Sequence, residues 1–354
     1  MWYSIKMKKI ISVVQPRAGF IDLSDPDIKL DEILVRQYAE QLNSRAEVPF
    51  SICPSLANAT IVPINFSDPT SLLYYDLPNY GIAAAQRTFS ATRPKCALCG
   101  VLNGELDQGI QIIGLETSAG KTISCFPSNL PYLPQLFALP VKTHTPWDMD
   151  IHSALQIVLR TDQYYVAQNS TLGASVKEHS HFQVFTFPRK LPVEKAPTRV
   201  FGEKQIGENI LTFATCDYPQ STLKVTIENA AQIEDEVFAV LENIIKAYKA
   251  LDTNNHVSFI AKKTDDRIEV YLFCLRPTTR SAEMVSYGKK EPMELGKILF
   301  AGMVHSAGIM LRRCPEDREF WQQGSLRFKQ ILASYSALPE HLAILCRALE
   351  GDYK

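Results

Sequence analysis

The sequence has no long hydrophobic run, no excess of either charge and only seven histidines. No apolar stretch approaches the ~20 residues that a transmembrane helix needs, so we expect no membrane partner. Lysines and arginines (37) nearly balance aspartates and glutamates (38). This balance argues against a nucleic-acid polymer as partner, because such binders are visibly basic. The first residues lack a signal-peptide cleavage pattern, and the prediction is a cytoplasmic protein.

The chain's length and its repeated pattern indicate two halves. Its 354 residues exceed the ~250–300 at which a single core usually stops growing. The order helix, strand, turn, strand occurs at 148–187 and again at 231–275, on either side of a proline- and charge-rich connector. We therefore predict a first half over residues 1–190 and a second over residues 191–354.

Apolar periodicity predicts a mixture of helices and strands. Helical spacing is found at 32–45, 146–159, 230–251, 291–313 and 327–350. Strand patterns occur at 134–141, 163–169 and 181–187, and as a pair within 256–275. The region from about 46 to 130 is rich in proline, serine and asparagine, and indicates strands and long loops. The fold class expected is α+β.

The eight cysteines divide into six scattered ones and one pair. The scattered ones are typical of buried free thiols. Cys96 and Cys99 form a Cys-x-x-Cys, which in a cytosolic chain is usually a metal pair or a redox pair. No thioredoxin-like strand and helix surround them. Zinc needs two further ligands, for which His144, in a loop before a helix, and His179 are candidates.

The stretch "GASVKEHSHFQVF" places two histidines and a glutamine at alternate positions. On a strand that begins near His179, the side chains of His179, His181 and Gln183 would share one face. Such a polar row is costly to bury without a purpose. The alternative is an exposed, half-polar strand face.

The segment before this motif suits a phosphate group. "TLGAS" contains Gly173 and Ser175, whose small size and hydroxyl allow close approach by a phosphate. Asn169 lies at the end of the preceding strand. These three residues are candidate contacts of such a group.

The sequence "GASVKEHSHFQ" resembles the active-site motif of the galactose-1-phosphate uridylyltransferases and their relatives in the histidine-triad superfamily, which include diadenosine-tetraphosphate and GDP-hexose phosphorylases. "RPKCALC", "LDQGIQI", "LFALPVKTHTPWDMDI" and "YYVAQNSTLGASVKEHSHFQVF" occur in that superfamily's order, and look most like a bacterial branch related to the GDP-hexose phosphorylases. The match covers roughly 85–190. It implies a histidine-triad-like antiparallel sheet with flanking helices, in two tandem halves of which the second, lacking His-x-His, is degenerate.

The resemblance implies a role for each motif residue. His181 would attack the nucleotide α-phosphorus of a nucleotide sugar or dinucleotide, giving a nucleotidyl-histidine that phosphate or a sugar phosphate then resolves. Gln183 would donate an N–H to the phosphoryl oxygens. Ser175 would contact the leaving phosphate, and Asn169 the nucleotide or the motif loop.

The resemblance also implies a structural zinc site. Cys96, Cys99, His144 and His179 match the family's ligands in order and type, although iron could replace zinc. One departure concerns specificity. Ser180 stands where the uridylyltransferases have proline, so galactose specificity does not carry over.

Four readings of function follow from the motif. The first is the nucleotidyltransferase or phosphorylase. The others are a non-catalytic nucleotide-binding regulator, a hydrolase with water as acceptor, and a metal enzyme that uses His179 and His181 together as ligands. A monomer and a homodimer are both compatible with the sequence.

Overall fold

The computed structural model describes residues 20–44, 60–63, 73–76, 96–103, 112–128, 133–174, 176–276, 303–312 and 325–351. The strands of this part of the chain are β1 (Phe20–Asp22), β2 (Thr60–Pro63), β3 (Leu73–Asp76), β4 (Ile113–Glu116), β5 (Thr122–Pro127), β6 (Phe137–Pro140), β7 (Tyr165–Gln168), β8 (His181–Phe185), β9 (Thr198–Ile206), β10 (Asn209–Cys216), β11 (Thr222–Glu228), β12 (His256–Thr264), β13 (Arg267–Leu275) and β14 (Ile309–Arg312).

The helices of the described residues are α1 (Leu30–Ser44), α2 (Ala97–Leu102), α3 (Ile151–Leu159), α4 (Asp235–Leu251), α5 (Met303–Ser306), α6 (Ser325–Ser334) and α7 (Pro339–Gly351). A single 3-10 turn, Pro192–Lys195, lies between β8 and β9. None of the described helices is both long and apolar enough to cross a bilayer.

An eleven-stranded sheet contains the same strand arrangement twice. Its order is β1-β4-β5-β6-β8-β7-β12-β13-β11-β10-β9. Read from the outer side toward the middle, the strands of the first half are in the order β4, β5, β6, β8, β7. Those of the second half, read in the same way, are in the order β9, β10, β11, β13, β12. In both halves the fifth strand therefore lies between the third and the fourth. The two fourth strands, β7 and β12, pair antiparallel and join the halves. The expected α+β fold with two tandem halves is confirmed.

In each half a helix connects the third strand to the fourth and covers one face of the sheet. α3 and α4 contact each other, and both pack against β12. Phe182 and Val184 of β8 belong to the core cluster that these helices share with the sheet. Because side chains alternate along a strand, His181 and Gln183 face the side of the sheet opposite the helices.

The predicted helices near the C-terminus are partly wrong. Residues 309–312, expected to be helical, form β14, which pairs parallel with β3. Gly308 has a φ of +93°, a left-handed conformation that ends the short helix α5 before the strand. The expected helix over 327–350 is divided into α6 and α7, because Pro339 disfavours helical geometry at Leu338. The part of the prediction over 291–302 lies outside the described residues.

The strands β1, β9, β10 and β11 were not predicted. β9, β10 and β11 form a meander of three antiparallel strands across 198–228. The proposed division between residues 190 and 191 falls between β8 and β9 and stays a prediction. Among the described scattered cysteines, Cys125 and Cys274 are buried, Cys216 and Cys346 are half-buried, and all four are free.

Candidate functional site

The four expected metal ligands lie together. Their ligand atoms are all within 4.8 Å of one another. The Nδ1 atom of His179 is 3.4 Å from the sulfur of Cys96 and 3.4 Å from that of Cys99. The Nδ1 atom of His144 is 3.1 Å from the Cys99 sulfur. Four residues from three separate segments therefore form a cluster that could hold one metal ion.

Local structure explains how the cysteines reach this cluster. Cys96 is the N-cap of α2, and its sulfur accepts the backbone N–H of Cys99 at 3.5 Å. This turn brings both sulfurs to the same side. Leu98 and Val101 of α2 pack with Phe126 of β5, which fixes the helix on the sheet.

The distances between sulfur and nitrogen atoms in the cluster fit a tetrahedral cation. Two ligands at ~2.3 Å (sulfur) and ~2.0 Å (nitrogen) from zinc lie about 3.5 Å apart, close to the distances found. His179 is fully buried, and its Nε2–H donates to the carbonyl oxygen of Val141 at 2.7 Å. This bond leaves the lone pair of Nδ1 directed toward the sulfurs, which is the outer-shell arrangement usual for a ligating histidine.

His181 is held differently from His179. Its Nδ1–H donates to the carbonyl oxygen of His179 at 2.9 Å. The side chain is only 5% exposed. Burial lowers the pKa of His181 to about 4, so the imidazole is neutral at pH 7, with its lone pair on Nε2. His181 is not a member of the four-residue cluster.

Gln183 follows His181 on the same face of β8. It lies in the middle of the first half's sheet, opposite Ala138 of β6 and Ala167 of β7. Small neighbours on both sides leave the amide half-buried. The prediction placed His179, His181 and Gln183 on one face of a strand that begins near His179. β8 begins at His181, so the alternation puts His181 and Gln183 on one face while His179 precedes the strand. The roles of these residues stay predictions.

The segment before the motif is attached to the second half. Asn169 is buried, and its Oδ1 accepts the backbone N–H of Met303 at 2.6 Å. The backbone N–H of Ser170 donates to the Oγ of Ser258, on β12, at 2.8 Å. Gly173 is half-buried, and its N–H donates to the carbonyl oxygen of Ser170 at 3.1 Å. Ser175 lies outside the described residues.

Sequence reasoning gave no structural role to three residues near His181. Trp147 contacts the His181 ring edge-on, with ring centroids 4.9 Å apart and an angle of 86°. Gln168 and Ser180 are buried and bonded to each other, with the Gln168 Nε2 donating to the Ser180 Oγ at 3.2 Å. Gln168 falls on the apolar face of β7 together with Val166. A glutamine in that register is a signal of a buried, bonded amide.

The fold and this geometry define the class of the molecule as an α+β protein with a histidine-triad-like sheet in tandem halves. Two solved structures are similar to it: yeast Ap4A phosphorylase Apa2, with a TM-score of 0.51, and the same enzyme in complex with AMP, with a TM-score of 0.52. Each is 12% identical to this chain and covers 86% of it, and 94% and 96% of the respective neighbours are matched.

At this identity the similarity establishes the fold. No protein-family profile matches the sequence. A comparison with curated proteins also found no significant match.

Proposed function

We propose that this protein is a nucleotidyltransferase or phosphorylase that cleaves a nucleoside diphosphate sugar or a dinucleotide through a nucleotidyl-histidine at His181. The observation that carries the proposal is the contrast between two neighbouring histidines. His179 points Nδ1 at two cysteine sulfurs, whereas His181 is anchored by Nδ1 to a carbonyl oxygen and keeps Nε2 for reaction.

The first step would be a displacement at phosphorus. Nε2 of His181 forms a bond to the α-phosphorus, and the bond from that phosphorus to its bridging oxygen breaks. The bridging oxygen leaves with the electron pair as the end of a sugar phosphate, or of a nucleoside polyphosphate when the donor is a dinucleotide. The ring gains positive charge, which the carbonyl oxygen of His179 stabilises through Nδ1–H.

The second step reverses the first with another acceptor. An oxygen of inorganic phosphate or of a sugar phosphate attacks the nucleotidyl phosphorus, and Nε2 takes back the electron pair. The amide of Gln183, on the same strand face, would donate to the phosphoryl oxygens in both steps. Asn169, Gly173 and Ser175 would border the phosphate chain, as the loop that contains them precedes the motif.

We propose zinc as the ion of the cluster, held by Cys96, Cys99, His144 and His179. A Cys2His2 set suits zinc, and four protein ligands give a closed site with a structural role. Zinc bound there would fix the start of β8 relative to α2. Val141 contributes the hydrogen bond that orients His179.

The similar fold of an Ap4A phosphorylase supports this class of reaction, and its complex with AMP supports a nucleotide as ligand. The substrates we propose for this chain are nucleotide sugars and dinucleotides with an anhydride bond to break. A cytoplasmic location fits such substrates. A monomer with tandem halves suffices for one site, and a homodimer is the alternative.

The test is to look for the covalent intermediate. The purified protein is mixed with UDP-, GDP- and ADP-sugars and with Ap4A, and peptide mass spectrometry measures the mass of one nucleoside monophosphate on His181. His181→Asn should abolish the adduct. His341→Asn serves as the control, because His341 lies on α7 and contacts Asn255.

The acceptor is identified by adding phosphate, a sugar phosphate or only water to the labelled protein. Loss of the label with water alone would indicate the hydrolase. Tight nucleotide binding with no adduct for any donor would overturn the proposal in favour of the regulator. Metal analysis of His181→Asn separates the remaining alternative, since a metal enzyme with both histidines as ligands would lose its ion.

A further inference from the structure

The indole ring of Trp147 contacts the imidazole ring of His181. The centroids are 4.9 Å apart and the rings are nearly perpendicular, at 86°. Edge-to-face pairs of this kind favour one relative orientation. Anchoring Nδ1 to the His179 carbonyl still permits the ring to tilt about that bond, and the indole restricts this motion. The two contacts together fix the direction of Nε2.

The loop that contains Trp147 is fastened to the motif on both sides of the tryptophan. Before it, the carbonyl oxygen of Thr145 accepts the N–H of Ser180 at 3.2 Å. After it, the carbonyl oxygen of Asp148 accepts the Nε2–H of Gln168 at 2.7 Å and the hydroxyl of Ser180 at 3.0 Å. The side chains of Gln168 and Ser180 are buried, and buried hydrogen bonds of this kind hold the loop rigidly against the motif.

A further bond closes this arrangement. The Oε1 of Gln168 accepts the N–H of Asp150 at 2.9 Å. The Gln168 amide therefore bonds the loop through both its oxygen and its nitrogen, and Ser180 bonds it through side chain and backbone. Ser180 stands between the two motif histidines, so the loop and the motif move as one unit.

The tryptophan's own polar atom does not explain its position. The Nε1 of Trp147 is buried and has no hydrogen-bond partner among the described residues. A buried indole usually pairs this N–H, and leaving it unpaired is unfavourable. Among the described residues, the aromatic ring that Trp147 contacts is that of His181.

We infer that Trp147 is a positioning residue that fixes the ring orientation of His181, and that Gln168 and Ser180 hold Trp147 in place. The inference rests on the proposed function, since it gives the orientation of a nucleophile. It assigns to Ser180 a task specific to a serine: its hydroxyl ties the motif to the Trp147 loop, which a proline between the histidines could not do.

The kinetic test compares Trp147→Leu with Trp147→Phe. Under saturating donor, Trp147→Leu should lower kcat at least about tenfold with KM within about twofold, because the nucleophile is misdirected while the substrate contacts remain. Trp147→Phe keeps an aromatic edge and should retain kcat within about threefold. Ser180→Ala should give the same pattern more weakly.

Phe238→Leu is the matched control. Phe238 also packs on a histidine, His152, at 4.0 Å between centroids, away from the motif. Its loss removes another contact between an aromatic ring and a histidine, in this case a stacked one, and should leave kcat unchanged. A Trp147→Leu variant with unchanged kcat, or with a raised KM alone, would overturn the inference.

A second readout needs no activity. In protein labelled with 15N-histidine, the Nδ1–H resonance of His181 is assigned by its absence in His181→Asn. It should persist in the wild type, Trp147→Phe and Phe238→Leu, and exchange with solvent at least about tenfold faster in Trp147→Leu. Unchanged exchange in Trp147→Leu refutes the positioning role. If no donor modifies the wild type, the proposed function fails, and this readout alone decides the inference.

Discussion

At the scale of single residues, Gln168 has a large structural effect for a polar side chain. It is fully buried in β7, and its amide bonds the backbone at Asp148 and Asp150. Removing it leaves the backbone N–H of buried Asp150 without this partner, whereas the carbonyl oxygen of Asp148 keeps the bond from the Ser180 hydroxyl. A buried group left unpaired costs about 1–3 kcal/mol.

Gln168→Ala should therefore lower the free energy of unfolding by about 2–4 kcal/mol, since lost hydrogen bonds and a small cavity add. Urea denaturation followed by circular dichroism measures this. The control is Gln205→Ala on exposed β9, which should change stability by less than about 0.5 kcal/mol. Equal effects of the two variants would contradict the role given to Gln168.

The sequence predicted the four residues whose ligand atoms the fold brings together, but not the roles of Trp147, Gln168 and Ser180 beside them. Cys96, Cys99, His144 and His179 have side chains whose chemistry specifies their partners. Trp147 instead contacts a ring from a distant segment, which no local pattern encodes.

At the scale of elements, α3 begins at a strong cap. The Oδ1 of Asp150 accepts the N–H of Ser153 at 3.0 Å, and Oδ2 accepts its hydroxyl at 2.7 Å. Lys121 forms an ion pair with the same carboxylate at 2.7 Å, although the lysine is half exposed. The cap sets the helix start immediately after the Trp147 loop.

Asp150→Ala should lower the free energy of unfolding by about 1–2 kcal/mol, because an N-cap contributes about 1 kcal/mol and an exposed ion pair at most about as much. Asp150→Asn keeps an accepting oxygen and should lose less than half of that amount. Thermal and urea denaturation check the order. An equal loss in both variants would show that charge, not capping, dominates.

The ion pair between Lys224 of β11 and Glu269 of β13 makes the stability of the fold depend on pH. Burial alone would raise the pKa of Glu269, but the hydrogen bond and attraction of Lys224, at 2.7 Å, and the hydroxyl of Tyr271 hold it below its ordinary value. A lowered carboxylate pKa stabilises the fold above ~4.3, the ordinary glutamate value, and this contribution is lost as the pH falls through the folded pKa.

Glu269→Gln should therefore be less stable than the wild type at pH 7, and the difference should shrink at lower pH. Denaturation at several pH values between about 3 and 7 spans the glutamate range and measures it. Exposed Glu208→Gln is the control and should show little difference at any of these values. A gap that stays constant with pH would contradict the assignment.

The helices α3 and α4 and the strands beside them were predictable because each shows one strong period. The meander β9–β11 was missed because its strands have their partners in each other and in β13, and long polar stretches such as "FGEKQIGEN" conceal the alternation. β14 was mistaken for helix because its strand character comes only from pairing with β3.

At the scale of the whole molecule, the cluster of Cys96, Cys99, His144 and His179 links the early segment around α2 to the centre of the sheet. We expect elemental analysis to find about one ion per chain, and a strong chelator to lower the melting temperature, because metal binding contributes to folding. Cys99→Ser should lose the ion and show the same lowered melting temperature without chelator.

Cys216→Ser is the matched control, since Cys216 is a half-buried free thiol outside the cluster. It should retain the ion. A Cys99→Ser protein with full metal content would contradict the ligand assignment. Metal content reduced in Cys216→Ser as well would indicate a nonspecific effect of losing a thiol.

The pairing of β7 with β12 leads to a practical reporter. The amide of Ser170, beside the motif, is bonded to the Oγ of Ser258 in the other half. Its rate of deuterium uptake therefore reports how often this hydrogen bond between the halves opens. Comparing that uptake with and without nucleotide would measure, at one atom, whether a ligand makes this opening less frequent.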